Sequence, residues 1–350
     1  MRVLQVITRN STGGAQTVLA HIANSLVYMG HQVSIVAGEG DGSLWTILDE
    51  RIEMNNCPTL KRSLSINADW KTFLYLRKVY NEFQPDIIHL HSSKAGLLGR
   101  LALPRKKIIY TVHGYDSVRK AFPIFRPIEY LMQYMCAAVV GVSRYDEIKL
   151  KEDKIRRNVS FIYNGIPDNG FDTNLRWNIP NRYSKTVLCV ARVTPQKNLG
   201  LFLKIAKLLP QYAFVWIGNT EKVDHQFENV FFLGNIPAAG RYCYLCDLFV
   251  LTSNYEGLPM TIIEAMSCGK PIVASNVGGI SEIVENGKNG FICDNDEYSF
   301  KTCIESIFTS QSKYKNMADY SRKIYLDKLT VEKMVYEYLN VYKFIISSNS

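Results

Sequence analysis

Residues 254–266 read NYEGLPMTIIEAM, and this stretch decides how the chain is read. It follows an apolar run, residues 248–251, expected to be a buried strand, and the pattern beyond predicts a helix with Pro259 at its first position. Gly269 is expected to close that helix, with Pro271 just past its end. Between Gly257 and Cys268 the one charged side chain is Glu264, set among Met260, Ile262, Ile263, Ala265 and Met266. A carboxylate in apolar surroundings needs partners, and a ligand could supply them. Glu256 lies eight residues earlier, a span of about 12 Å if helical rise holds throughout. That span matches the reach from a nucleotide ribose to a group beyond its diphosphate. Free N–H groups at the helix start lie between the two acids and offer a seat for phosphate. The plain alternative is an exposed helix carboxylate at 264 and a loop charge at 256.

Outward from this stretch, short apolar runs alternate with helical patterns, the signature of α/β domains with doubly wound parallel sheets. Strands are expected at residues 3–8, 33–37, 86–90, 107–112 and 138–142, with a helix over residues 17–29. After turn chemistry at 161–167 and a polar, Pro-containing stretch of about twenty residues, taken as an interdomain connection, a second set begins. Its strands are expected at 186–191, 213–217, 230–233, 248–251 and 271–275, with a helix over 199–209. Two such sheets facing one another would leave a cleft between their carboxyl ends. The expected division is 1–165, 166–330 and a terminal helix within 331–350 that packs through Val331, Met334, Val335, Tyr338, Leu339 and Tyr342, before a frayed tail.

Ligands of open parallel sheets sit beyond the carboxyl ends of the strands. Gly13, Gly14, His91, Ser92, Lys94, His113 and Gly114 occupy such positions. Lys94 could meet an anion at its helix start or be ordinary surface charge. His89 and His91 are assigned to opposite faces of their strand, which argues against a shared metal ion. Gly38-x-Gly40-x-Gly42 lacks the Gly-x-Gly-x-x-Gly spacing of a dinucleotide site, so a dehydrogenase is disfavoured.

Composition bounds the rest. With 350 residues, 47% hydrophobic and 21% charged, the chain has room for two domains and sizeable cores. No run is long enough to span a bilayer, and residues 1–8 resemble a first strand, not a signal peptide, so a cytoplasmic location is expected. The eight cysteines are scattered as reduced core thiols would be; Cys243-x-x-Cys246, in an expected helix, is the one tight pair. Charge is divided unequally, with 22 Lys/Arg against 14 Asp/Glu in residues 1–164 and 19 against 18 in the remainder. Lys61, Arg62, Lys71, Arg77 and Lys78 lie among Leu64, Trp70, Phe73, Leu74 and Leu76. Arg119, Lys120 and Arg126 mix with Phe122, Ile124 and Phe125. Such clusters could rest on an anionic membrane surface, hold an anionic acceptor, or be solvated helix faces. No nucleic-acid motif accompanies the charge.

With these pieces placed, the chain resembles the family 4 retaining glycosyltransferases of the GT-B fold over nearly its whole length. The strongest likeness is the paired-glutamate motif Glu256–Glu264, supported by Arg192 with Lys197; Gly13-Gly14, His113-Gly114 and Asn164-Gly165 add their order along the chain. The resemblance implies two Rossmann-like domains and a nucleotide-sugar donor held mostly by the C-terminal one. It implies that Arg192 and Lys197 bind the diphosphate, Glu264 the ribose, and Glu256 with Gly257, Leu258, Pro259 and Met260 the sugar and phosphates. Backbone from Gly234 to Ile236 would meet the base, His113 the sugar near the reaction centre, and Gly13 and Gly14 would let backbone approach the phosphates. His91, Ser92 and Lys94 fall on the acceptor side, where a saccharide or lipid-linked saccharide is expected. No metal or cofactor is implied. Ala191-Arg192-Val193 departs from the usual Gly-Arg-Leu or Gly-Arg-Phe. Asp294-Asn295-Asp296, which superficially matches a metal-binding Asp-x-Asp, is expected to be a turn. The donor is expected to be a UDP-sugar, with GDP-mannose as the competitor. A nucleotide-sugar epimerase and a catalytically silent nucleotide-sugar-binding subunit are the rival functions.

Overall fold

The computed structural model describes residues 1–120, 123–168 and 175–349. Phe122 and residues 169–174 of the expected interdomain connection lie outside the described residues, as does Ser350. The chain forms two compact units, Met1–Pro167 with Val331–Ser350, and Asp168–Thr330.

In the first unit, β1 (Arg2–Ile7), β2 (Gln32–Ala37), β3 (Glu53–Asn56), β4 (Ile87–His91), β5 (Ile108–Val112), β6 (Ala138–Gly141) and β7 (Val159–Phe161) form one parallel sheet, ordered β3-β2-β1-β4-β5-β6-β7. The central strands are largely apolar because helices cover both faces, with Gln5, Ser34, His89, His91 and Thr111 buried among them; Val3, Leu4, Val6 and Ile7 of β1 are fully buried. The crossovers include α1 (Gly14–Tyr28), α2 (Ile66–Phe83), α3 (Ser93–Ala102), the single turn α4 (Asp116–Arg119), α5 (Arg126–Met132) and α6 (Arg144–Glu152).

The second unit repeats the plan. Strands β8 (Lys185–Val190), β9 (Tyr212–Ile217), β10 (Val230–Phe232), β11 (Leu248–Leu251), β12 (Ile272–Ser275) and β13 (Gly290–Cys293) form a parallel sheet ordered β10-β9-β8-β11-β12-β13. Its helices are α7 (Leu199–Leu208), α8 (Met260–Ser267), α9 (Glu297–Ile307) and α10 (Gln311–Lys328). The last helix, α11 (Val331–Ser347), belongs to the first unit. There Tyr342 OH pairs with His89 Nδ1 at 2.7 Å and Tyr338 OH with Thr111 Oγ1 at 3.1 Å.

Three differences from the sequence-based expectation have physical causes. The edge strand β3, Glu-Met-Asn-Asn, is largely exposed and therefore carries no apolar run. Pro259 precedes α8 and does not begin it: its ψ of 123° is extended, and its carbonyl accepts from Ile262 N at 3.2 Å. Cys243 sits in a 3₁₀ turn, Ala239–Leu245, that ends before Cys246; Cys246 Sγ donates to the Cys243 carbonyl at 3.3 Å. The Gly38-x-Gly40-x-Gly42 segment packs against the loops after β1 and β3, since a Cβ on Gly38 would stand 1.9 Å from Leu60 O and one on Gly40 2.1 Å from Asn10 Oδ1. Those glycines answer to close backbone approach within the fold.

Candidate functional site

The direction of winding reverses between β8 and β11 in the second unit and between β1 and β4 in the first. At such a switch point the loops leaving neighbouring strands diverge and open a crevice beyond their carboxyl ends. In the second unit these loops are residues 191–198 and 252–259, and polar contacts lace them together. Asn254 N donates to Gln196 O at 2.8 Å, Gln196 Nε2 to Tyr255 O at 2.9 Å, and Thr252 Oγ1 to Lys197 O at 3.0 Å.

On this frame the Lys197 ammonium pairs with Glu256 Oε1, which also accepts from Ser253 Oγ at 2.6 Å. Glu256 is only 7% exposed, so its charge depends on those two donors. Gly278 locks the loop from behind: at φ +60° its missing Cβ would fall 2.2 Å from Glu256 O, while Gly279 N donates to Gly257 O at 2.8 Å. Asn295, inside the segment expected to be a turn, reaches Ser253 O and Asn254 Oδ1, each at 3.2 Å. Asp296 caps α9, accepting from Ser299 N at 2.8 Å. Among the described residues, no group of three or more His, Cys, Asp or Glu side chains could hold a metal ion.

Leu258 and Met260 are buried, and α8 begins with no side-chain cap and no acid in its first turn. The first amides of this helix therefore face the loop with positive polarity. One turn on, burial raises the Glu264 carboxyl to about pH 7. Gly240 makes room for it, since a Cβ there would sit 2.4 Å from Glu264 Cδ. Arg192 is exposed on the loop after β8. The loops after β9 and β10 are tied beside it: Gly218 N donates to Gly234 O at 2.8 Å and Gly234 N to Asn219 Oδ1 at 2.9 Å. Ile236, two residues on, is half-buried.

In the first unit, Gly13 precedes α1 and Gly14 opens it. A Cβ on Gly13 would meet only the movable Gln16 amide, at 3.0 Å, so internal packing does not demand glycine there. His113 is partly accessible at the end of β5, and its Nε2 lies 3.0 Å from His91 Nδ1. Burial pulls the His113 pKa down to about 4 and those of His89 and His91 well below the usual imidazole range, so all three rings are neutral at pH 7.

The assignment of His89 and His91 to opposite faces is corrected: residues two apart share a face of a strand, and the ring centroids are 3.9 Å apart. Both nitrogens of His89 are occupied, by Tyr342 OH and Thr111 Oγ1 at 2.7 Å each. The residues expected on the acceptor side are engaged internally. His91 is fully buried; Ser92 Oγ pairs with Thr8 Oγ1 at 2.7 Å; Lys94 Nζ pairs with Asp69 at 2.6 Å and donates to Ser63 O at 3.2 Å. Sequence reasoning passed over Gly240 and Asn295 because each matters through a neighbour distant in the chain, and it passed over Ser253 although its partner Glu256 is three residues away.

Comparison with known proteins now adds the family. The glycosyl transferases group 1 family matches residues 173–324, and Glycosyltransferase Family 4 matches residues 12–169. An Escherichia coli UDP-Gal:alpha-D-GlcNAc-diphosphoundecaprenol alpha-1,3-galactosyltransferase is 31% identical over 292 residues, 74% of this chain and 76% of that protein. The chain belongs to glycosyltransferase family 4. This glycosyltransferase is also 29% identical, over 89% of its length and 92% of the relative's, to the E. coli O-antigen biosynthesis glycosyltransferase WbnH. Its fold is that of Anabaena Alr3699/HepE, solved in complex with UDP, at a TM-score of 0.78 and 21% identity over 98% of this chain and 100% of that one. Sucrose-phosphate synthase from Thermosynechococcus elongatus superposes at 0.85 with 15% identity, covering 99% of both chains. The glycosyltransferase thus has the GT-B type of fold, two parallel α/β sheets of seven and six strands among its described residues.

Proposed function

We propose that this glycosyltransferase moves a sugar, with retention of configuration, from a UDP-sugar to a lipid-linked saccharide during surface-polysaccharide assembly. The observation that carries the reading is the convergence at one switch point of the Lys197–Glu256 pair, the uncapped start of α8 and the Glu264 carboxyl. The galactosyltransferase relative, named for a UDP-Gal donor and a diphosphoundecaprenol-linked acceptor, supports both substrate classes.

Cleaving the anomeric bond builds positive charge on the sugar and negative charge on the departing diphosphate. Arg192, Lys197 and the first amides of α8 are the groups assigned to that negative charge, which lets the reaction run without a metal ion. Glu264 takes the ribose hydroxyls, backbone from Gly234 to Ile236 meets the base, and Gly13 and Gly14 allow close backbone approach to the phosphates. Glu256, held by Lys197 and Ser253, orients the sugar and supports developing positive charge. Its two donors make it a weak nucleophile, so same-face attack with the leaving phosphate accepting the acceptor's proton fits better than a covalent intermediate. Neutral His113 contacts the sugar near the reaction centre.

Calorimetric titration in EDTA with UDP, GDP and their hexose conjugates tests the donor assignment. UDP is expected to bind most tightly, and Arg192→Ala to weaken it at least ten-fold without loss of fold, because loss of a hydrogen bond to a charged group is worth about 1.5–3 kcal/mol. Preference for GDP, or an unchanged affinity in Arg192→Ala, would overturn it.

A further inference from the structure

Helix α2 buries one face through Thr72, Leu76, Val79 and Phe83, as a sheet-packed helix should. Its opposite face is also apolar. Ile66, Trp70 and Leu74, spaced by four residues and so stacked on one side, are 92%, 60% and 49% exposed, and Leu64 just before the helix is 71% exposed. Single exposed apolar residues are ordinary on any surface; a contiguous stripe on a helix already packed on its other side asks for a partner. Trp70 stacks on Phe73 at 5.4 Å, and the Arg77 guanidinium lies 5.8 Å from the Phe73 ring, so the stripe is laterally braced.

The charge around it is mainly basic, although Glu39 Oε1 accepts from Arg62 N at 3.2 Å near its start. Lys61 and Lys71 are exposed beside the stripe, with Arg77 on the same helix. The acid in the first turn, Asp69, is turned to Lys94 at 2.6 Å and is neutralised there. Glu82, at the far end, pairs with Lys78 at 3.8 Å. The same Lys94 contact fixes where the stripe sits: Lys94 follows the carboxyl end of β4, so the first turn of α2 stands at the end of the sheet that carries His91 and Ser92. A helix with an exposed aromatic and aliphatic stripe flanked by lysines has the chemistry of an interfacial element: the apolar side chains enter the headgroup boundary while the ammonium groups meet lipid phosphates.

We infer that the outer face of α2, with Leu64 and Lys61 before it, docks the first unit on an anionic membrane surface. The inference rests on the reading of the acceptor as lipid-linked and deepens it, since this contact holds the strand ends of the first unit against the surface in which such an acceptor is carried.

Co-sedimentation with phosphatidylcholine vesicles, with and without phosphatidylglycerol, tests it in the absence of any substrate. The protein is expected to bind the anionic vesicles at least ten-fold more tightly than the neutral ones. Ile66→Ser/Trp70→Ser is expected to lose at least ten-fold of that affinity. Lys61→Glu/Lys71→Glu should lose more than ten-fold, since each surface lysine contributes about five-fold. Both variants change exposed side chains, and both should keep the wild-type UDP affinity and circular dichroism. Equal sedimentation with both vesicle types, or anionic-vesicle binding unchanged in both variants, would overturn the inference. So would a concentration-dependent dimer dissolved by Ile66→Ser/Trp70→Ser, which would give the face to a second copy of the chain. Normal vesicle binding without transfer to a lipid-linked saccharide would refute the acceptor reading and leave the surface standing.

Discussion

Nucleotide affinity is expected to fall about ten-fold for each pH unit below 7, levelling where the carboxyl of the bound form protonates. The expectation follows from Glu264, whose pKa burial raises from 4.5 to about 7 and whose ionised form is the one that accepts from ribose hydroxyls. Burial alone raises that pKa, so a ligand donating two hydroxyls would supply what the fold withholds. Stability runs the other way. Between about pH 4.5 and 7 the folded chain holds a proton that the unfolded chain has released, so stability declines as pH rises through that window and is flat above it. Glu264→Ala should remove both dependences and weaken UDP binding about 10- to 100-fold, the worth of a charge-assisted hydrogen bond. Gly240→Ala should do much the same without touching the carboxyl group, because its Cβ would occupy space 2.4 Å from Glu264 Cδ and displace the side chain. Calorimetry across pH 5.5 to 8.5 reads all three proteins. A flat wild-type profile, or a folded Glu264→Ala protein with wild-type affinity, removes Glu264 from the ribose.

Lys197→Ala should damage stability and turnover together. It strips the principal donor from a carboxylate that is 7% exposed and leaves only Ser253 Oγ, at 2.6 Å, as partner. Removing one member of a buried ion pair costs about 3 kcal/mol, because the remaining charge stays desolvated. Turnover should fall at least 100-fold, since the same ammonium is assigned to the leaving diphosphate. Urea unfolding and steady-state rates on one preparation separate the two effects. Arg192→Ala provides the contrast: its side chain is exposed, so it should lose affinity with little change in unfolding midpoint. Equal stability of Lys197→Ala and wild type would show that the Lys197–Glu256 contact does not carry the buried charge.

How far the sequence could be read depended on burial and on chain separation. The inner strands of both sheets were visible because parallel strands covered on both faces are largely apolar; Phe249 and Val250 of β11 are fully buried. Strand β3 was invisible because an exposed edge can be Glu-Met-Asn-Asn. The stretch from Glu256 to Glu264 announced itself through one carboxylate in an apolar helix, although the helical-rise estimate applies only beyond Pro259, where α8 begins. Pairings across the chain left no local trace. Lys197 meets Glu256 across 59 residues and Lys94 meets Asp69 across 25, so a lysine at a strand end looks equally ready for a ligand in both cases. Gly240 likewise looks like any turn glycine until Glu264 stands over it. His89 and His91 failed for a different reason, a misapplied strand period that put neighbouring rings on opposite faces.

Product stereochemistry tests the central claim most directly. An α-configured UDP-hexose and a lipid-linked saccharide are incubated with the protein in EDTA, and the anomeric coupling of the new linkage is read by proton NMR. An α-linked product with release of UDP is the expected result. A β-linked product, or conversion of the UDP-hexose to its epimer with no new linkage, would contradict retaining transfer at the β8/β11 switch point.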